Sequence, residues 1–258
     1  MNMNLKEAVY QGVRRENEKR DEAFKASRAN VESNVLYATQ MSNCARRWVF
    51  EQLQEYEHRY RPEKFSDQVL LVFADGHATE DTLVKALSKS ELRVVGTQES
   101  VTMDLPGTDY TVRGRTDLSI DFGAEHGIQP VEIKSMNVRN FALALTFGPK
   151  TEHLLQISYY VYAQKATGGR LLYKEKNSGE MQEFLITAED ACARTEYNFS
   201  LWQRAVQDFG SLNPIPLAGM HPQELTFPDD CRYCKHTVAC RKATMYESAT
   251  DESLPWDE

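Results

Sequence analysis

Along residues 1–60 polar positions dominate and the apolar ones fall at helical spacing, as with Trp48, Val49, Leu53 and Tyr56 in NCARRWVFEQLQEYEHRY. A second amphipathic stretch, DGHATEDTLVKALSKS, puts Leu83, Val84 and Leu87 on one helix face. The pattern then changes period. LRVVGTQESVTM, YTVRGRTDLSID and PVEIKSM are rich in Val, Ile and Thr, and each predicts a strand. Gly107 and Asp109 punctuate the first gap and GAEHG the second, so hairpins and an antiparallel meander are expected. TEHLLQISYYVYAQKATG predicts a helix stopped at Gly168-Gly169. Strands follow around RLLYKEK and MQEFLIT, joined by a turn at Asn177-Ser178-Gly179, and a long helix runs from Ala188 to Phe209. The order helix, three strands, helix, strand predicts an α+β fold with a mixed central sheet flanked by helices.

A chain of 258 residues suits one elaborated domain or a core with an appended cap. The expected organisation is an N-terminal helical region over 1–66, a core over 67–186, a C-terminal helix and cysteine segment over 187–243, and a flexible acidic tail over 244–258. At 41% hydrophobic and 26% charged residues, a packed core is expected and wholesale disorder is not. No run approaches the roughly 18 consecutive apolar residues of a membrane helix. The charged N-terminus lacks the apolar stretch of a signal peptide, so a reducing cytoplasmic setting is expected. The net charge of -8 excludes a general basic coat, so a nucleic-acid surface here would be a local groove.

The candidate chemistry begins in VEIKS. On a strand, residues two apart share a face, so Glu132 and Lys134 point the same way while Val131 and Ile133 face the core. Asp117, on the preceding strand, is expected beside Glu132 across the pair. Two carboxylates that close repel unless a cation joins them, and hard oxygen ligands suit Mg²⁺ or Mn²⁺. The backbone carbonyl of Ile133 offers a further oxygen. Such an ion polarises a phosphodiester, and Lys134 is placed to orient a water or stabilise phosphate charge. Downstream, Gln156 and Tyr160 are spaced i, i+4 and share one helix face.

The five cysteines add a second signal. Cys231, Cys234 and Cys240 form C-x2-C-x5-C, with Cys44 far upstream and Cys192 alone. An odd count in a reducing compartment argues against disulfides and for a metal or iron–sulfur site whose fourth ligand lies elsewhere in the chain. Four thiolates suit an iron–sulfur cluster or tetrahedral Zn²⁺; His236 is an alternative ligand in a zinc version, and Cys192 reads as a core residue.

The order Gly114–Asp117, Glu132–Lys134, Gln156–Tyr160 resembles the PD-(D/E)XK nucleases of the RecB-like branch, with their Gly-x-x-Asp, E-x-K and Gln-x-x-x-Tyr motifs. The resemblance implies a restriction-endonuclease-like core in which Asp117, Glu132 and Lys134 are catalytic and Gln156 and Tyr160 line the DNA side. The family's upstream acid or histidine falls in DGHATED, where Glu80 takes the place and His77, one turn earlier, is the alternative. One subset of that branch, the CRISPR-adaptation nucleases and the AddB nuclease domain, carries a four-cysteine [4Fe–4S] cluster. Its pattern resembles Cys44 followed by Cys231, Cys234 and Cys240, which implies a helical iron–sulfur cap joining the two ends of the chain. The implied activity is Mg²⁺- or Mn²⁺-dependent hydrolysis of DNA, foremost as an exonuclease on single-stranded or resected ends. Recombination, helicase or CRISPR-adaptation proteins are the implied partners. A structure-specific endonuclease on the same core, and a non-catalytic metal-stapled DNA-binding protein, are the rival readings. Arg115, Lys174 and Lys176 are candidate phosphate contacts, which give affinity without sequence readout.

Overall fold

The fold is given by a computed structural model, which describes residues 5–28, 34–45, 47–49 and 66–210. Helix α1 spans Leu5–Arg28, strand β1 Val35–Tyr37, α2 Ala38–Met41 and α3 Asp67–Leu87. Strands β2 Arg93–Thr97, β3 Ser100–Asp104, β4 Thr111–Arg115, β5 Leu118–Asp121 and β6 Ile128–Met136 follow. Then come α4 Val138–Phe147, α5 Thr151–Gln164, β7 Gly168–Glu175, β8 Met181–Thr187 and α6 Ala188–Gly210. Among the described residues no helix is long and apolar enough to cross a membrane.

The strands form two sheets, β1-β4-β3 and β2-β5-β6-β7-β8. Both are mixed: β1–β4 and β6–β7 are parallel and the remaining pairs antiparallel. The expected mixed sheet is therefore present, and PVEIKSM lies within one continuous strand, β6, but the other two expected long strands are each broken in two. LRVVGTQESVTM breaks at Gln98, whose φ of 51° is uncommon for a residue with a side chain, and YTVRGRTDLSID breaks opposite it at Thr116 and Asp117. The break is bridged by Gln98 N–H to the Asp117 carbonyl (3.1 Å) and Thr116 N–H to the Glu99 carbonyl (3.0 Å). One bent hairpin thus feeds both sheets, and its bend carries Asp117.

Two further elements depart from the sequence reading. β1 places a strand within the segment read as helical, pairing Val35–Tyr37 with Thr111–Arg113. Helix α4 occupies the link between β6 and α5, capped by the Asn137 side chain accepting from Asn140 N–H (2.8 Å) and stopped by Gly148 at φ 88°. It belongs to the crossover that a parallel β6–β7 pair requires.

The core settles which face does what. Val131 and Ile133 pack with Leu118 and Ile120, covered by Leu83, Val84 and Leu87 of α3. The opposite face of the sheet, including Leu171 and Tyr173, packs in the larger core with Ile157 and Tyr160 of α5 and Trp202 of α6. The N-terminal segment is tied to this core through the Met41 carbonyl, which accepts from the Tyr159 hydroxyl and the Trp202 indole N–H, both at 3.2 Å.

Candidate active site

Glu132 and Lys134 alternate with the apolar pair Val131 and Ile133 along β6, so the strand turns both functional side chains toward α5. Leu118 pairs with Val131, which puts Asp117 just beyond the ladder and level with Glu132. The Asp117 Oδ2 accepts from Ile133 N–H at 2.8 Å. In a strand the N–H and C=O of one residue point the same way, so the Ile133 carbonyl also faces Asp117. Lys134 Nζ donates to Glu132 Oε1. Glu132 is 1% exposed and its other oxygen, Oε2, is buried without a hydrogen-bond partner.

Electrostatics couple these groups to α3. Burial first, then repulsion from Glu132 and from Glu80, pushes the Asp117 carboxyl up to about 8. Burial also raises Glu132, against the pull of Lys134. Burial disfavours the Lys134 ammonium, but attraction to Glu132, Asp117 and Glu80 outweighs it and keeps the lysine charged. Three carboxylates facing one ammonium leave the cluster short of positive charge, and Asp117 takes up the proton. Glu80 acts on all three groups, whereas His77 is exposed.

Gln156 and Tyr160 are both buried on α5, and Gln156 Nε2 donates to the Tyr160 hydroxyl at 3.0 Å. Burial, then the charge on Glu132, holds that phenol protonated far above its ordinary range. Gly114 brings two of the motifs into contact. A Cβ there would meet Tyr160 Cε1 at 2.6 Å and Ala38 Cβ at 3.1 Å, so the glycine is the space the Tyr160 ring occupies. Gly114→Ala is expected to lower stability by about 1–3 kcal/mol through overpacking, read as a lower urea midpoint.

The other candidates are placed as follows. Arg115 is exposed at the end of β4. Lys174 pairs with Ser135 and so points to the face opposite Lys134, and Lys176 follows the end of β7. Cys44 is buried at 8% exposure, and Cys192 is half-buried on α6. Cys231, Cys234, Cys240, His236 and the acidic tail lie outside the described residues.

Two residues at the site escape sequence reasoning. Gln98, at the hairpin bend, donates from Nε2 to Glu80 Oε1 at 2.5 Å, bracing α3 against the bend that carries Asp117. His153 precedes Gln156 by three and Tyr160 by seven, on the same stripe of α5. Its Nδ1 meets the Tyr173 hydroxyl at 2.7 Å, and burial, with the charges of Lys134 and Lys150, lowers its pKa to about 3. The H-x-x-Q-x-x-x-Y spacing was the available signal for His153; nothing local marks Gln98.

The family model of the PD-(D/E)XK nuclease superfamily matches residues 7–241. The chain belongs to the PD-(D/E)XK nuclease superfamily. No curated protein matches this superfamily member. Among solved structures, that of SSO0001 is similar at 19% identity, covering 93% of this chain and 98% of that one with a TM-score of 0.55, which shows the fold. An alkaline exonuclease (LHK-Exo) from Laribacter hongkongensis aligns at 13% identity over 69% of this chain and 91% of its own, with a TM-score of 0.48. A phage-related exonuclease from Haemophilus somnus 129PT aligns at 10% identity over 64% and 82%, with a TM-score of 0.46.

Membership in a nuclease superfamily makes the metal question concrete. Among the described residues, no three His, Cys, Asp or Glu side chains stand close enough together to hold an ion. The residues fit a Mg²⁺-like ion nonetheless, because such an ion needs only one or two carboxylates and takes its remaining oxygens from water and phosphate. Asp117, the partnerless Oε2 of Glu132 and the Ile133 carbonyl would provide that set.

Proposed function

We propose that this chain is a Mg²⁺- or Mn²⁺-dependent DNA nuclease, acting as an exonuclease on single-stranded or resected ends. The observation that carries the reading is the convergence of Asp117, Glu132 and Lys134 on one buried patch, with the charge of Glu80 reaching all three. In the reading, Asp117, Glu132 and the Ile133 carbonyl would hold the ion, with Glu80 as the further metal-shell residue. A divalent ion bound there supplies Lewis-acid polarisation of the phosphodiester.

The remaining work falls to the chain's own groups. Lys134 keeps its proton because the carboxylates outweigh burial, so it can donate to an attacking water or to phosphate oxygen. Tyr160 accepts from Gln156, which leaves its own proton to offer the site. The proposal extends to the cysteines. Cys44 with Cys231, Cys234 and Cys240 would hold a [4Fe–4S] cluster, or Zn²⁺ in the alternative, and so link the two ends of the chain. The burial of Cys44 and the resemblance to the four-cysteine branch support this.

One preparation tests both parts. Purified full-length protein is incubated with Mn²⁺ and linear or circular single-stranded DNA. Loss of the linear substrate alone is expected, and cutting of the circle at a similar rate would turn the reading to an endonuclease. A broad visible absorbance that bleaches on reduction is expected of the same protein; a colourless, zinc-loaded protein would remove the iron–sulfur part.

A further inference from the structure

The hydrogen bonds around His153 fix which ring nitrogen carries the proton. Tyr173 is fully buried on β7, and its hydroxyl accepts from Lys150 N–H at 3.0 Å. A buried phenol must also place its own proton. The second neighbour of that oxygen is His153 Nδ1 at 2.7 Å. Tyr173 therefore donates to Nδ1, and the neutral ring carries its hydrogen on Nε2. Nε2 lies on the far side of the ring from Nδ1, so this N–H points away from Tyr173. The ring is half-buried, with Tyr173 edge-on to it at 5.4 Å between centroids.

The same lock sets where the ring stands. Tyr173 pairs in parallel register with Lys134, so the two side chains leave the same face of the sheet. His153 also shares its helix stripe with Gln156 and Tyr160. Lys150, one turn earlier, ion-pairs with Glu152 at 3.3 Å. The carboxylates gather around Asp117 and Glu132, whereas the charges acting on His153 are the ammonium groups of Lys134 and Lys150. An uncharged N–H in the field of two ammonium groups, beside the patch proposed to take a phosphodiester, suits a phosphate oxygen.

We propose that His153 is a DNA-contacting residue whose Nε2–H donates to a non-bridging oxygen of the phosphate held beside Lys134. Tyr173 is the positioning residue that fixes its tautomer. The contact rests on the nuclease reading above. Because the donor is neutral, it orients the backbone without adding a charge beside Lys134.

The test uses full-length protein carrying His153→Ala, His153→Asn or His153→Gln. Cleavage is measured in Mn²⁺ on oligonucleotides in which one phosphate at a time is a neutral methylphosphonate, and binding by fluorescence anisotropy on the same DNA without metal. Glutamine places an amide N–H near the reach of Nε2, and asparagine places one only near Nδ1. His153→Ala and His153→Asn are expected to lose about 10- to 100-fold in kcat/KM, the range for one hydrogen bond to a charged group, and His153→Gln to recover most of it. At one methylphosphonate position wild type is expected to lose at least the same factor, because Lys134 loses its charged partner there too, and the gap between wild type and His153→Ala is expected to close. Three results would overturn the contact: an unchanged His153→Ala, a loss equal on every substrate, or no advantage of glutamine over asparagine. Wild type that neither binds nor cleaves any DNA would instead remove the nuclease reading, and this contact with it.

Discussion

Lys134→Ala is expected to cut the rate of Mn²⁺-dependent DNA hydrolysis by roughly 10²–10³-fold, the usual effect of deleting one group that stabilises developing charge. The argument runs through the ion pair. Lys134 Nζ is bonded to Glu132 Oε1, and three carboxylates hold it charged despite burial. Without the ammonium, Glu132 is a buried carboxylate with neither oxygen partnered, and its pKa, already raised by burial, climbs further. The variant therefore loses the donor to the phosphate and weakens the carboxylate that would hold the ion. Lys134→Arg is not expected to rescue, because a planar fork does not fit where a compact ammonium sits between β6 and α5. DNA binding without metal should fall far less than the rate; an equal fall in both would make Lys134 a binding residue only.

Asp117→Asn is expected to abolish cleavage and to stabilise the metal-free protein. The Asp117 carboxyl is pushed up to about 8 by burial and by Glu132 and Glu80, from an ordinary 3.8. The folded chain thus binds a proton at this position that the unfolded chain has already released. Its contribution to stability is present below the unfolded pKa and is lost as pH rises through the folded one, between about 4 and about 8. Asparagine keeps the bond from Ile133 N–H through its amide oxygen and removes the charge. The expected gain is about 1–3 kcal/mol near the top of that window, or several degrees in melting temperature, and nearly nothing below pH 4. Added Mn²⁺ should reverse the order, stabilising wild type and not the variant. A variant less stable than wild type at alkaline pH without metal would contradict the burial of an ionisable Asp117.

Much of this could be read from the sequence because strand parity and helix stripes are local properties. Glu132 and Lys134 alternate with Val131 and Ile133 in four consecutive letters, and Gln156 and Tyr160 sit one helical turn apart. Helices α5 and α6 and the β7–β8 hairpin announce themselves by period and by Gly179 at φ 76°. What was missed depends on contacts far apart in the chain. The bend at Gln98 follows from its bonds to Glu80 and to the Asp117 carbonyl, not from anything in TQES. Helix α4 hides because only Phe141 and Ala144 are buried while Val138, Leu145 and Phe147 stay exposed, so no clean stripe forms. β1 is a three-residue strand in a charge-rich segment, too short to show a period. His153 becomes a site residue only because a parallel crossover brings Tyr173 level with Lys134.

The most direct test of the central claim is single-turnover hydrolysis of end-labelled single-stranded DNA by the full-length protein in Mn²⁺, run beside Lys134→Ala and Asp117→Asn. The account predicts hydrolysis by wild type that stops on adding EDTA, and DNA that both variants bind but that Asp117→Asn leaves intact and Lys134→Ala cuts roughly 10²–10³-fold more slowly. Hydrolysis that survives EDTA, or that persists at the wild-type rate in both variants, would contradict it.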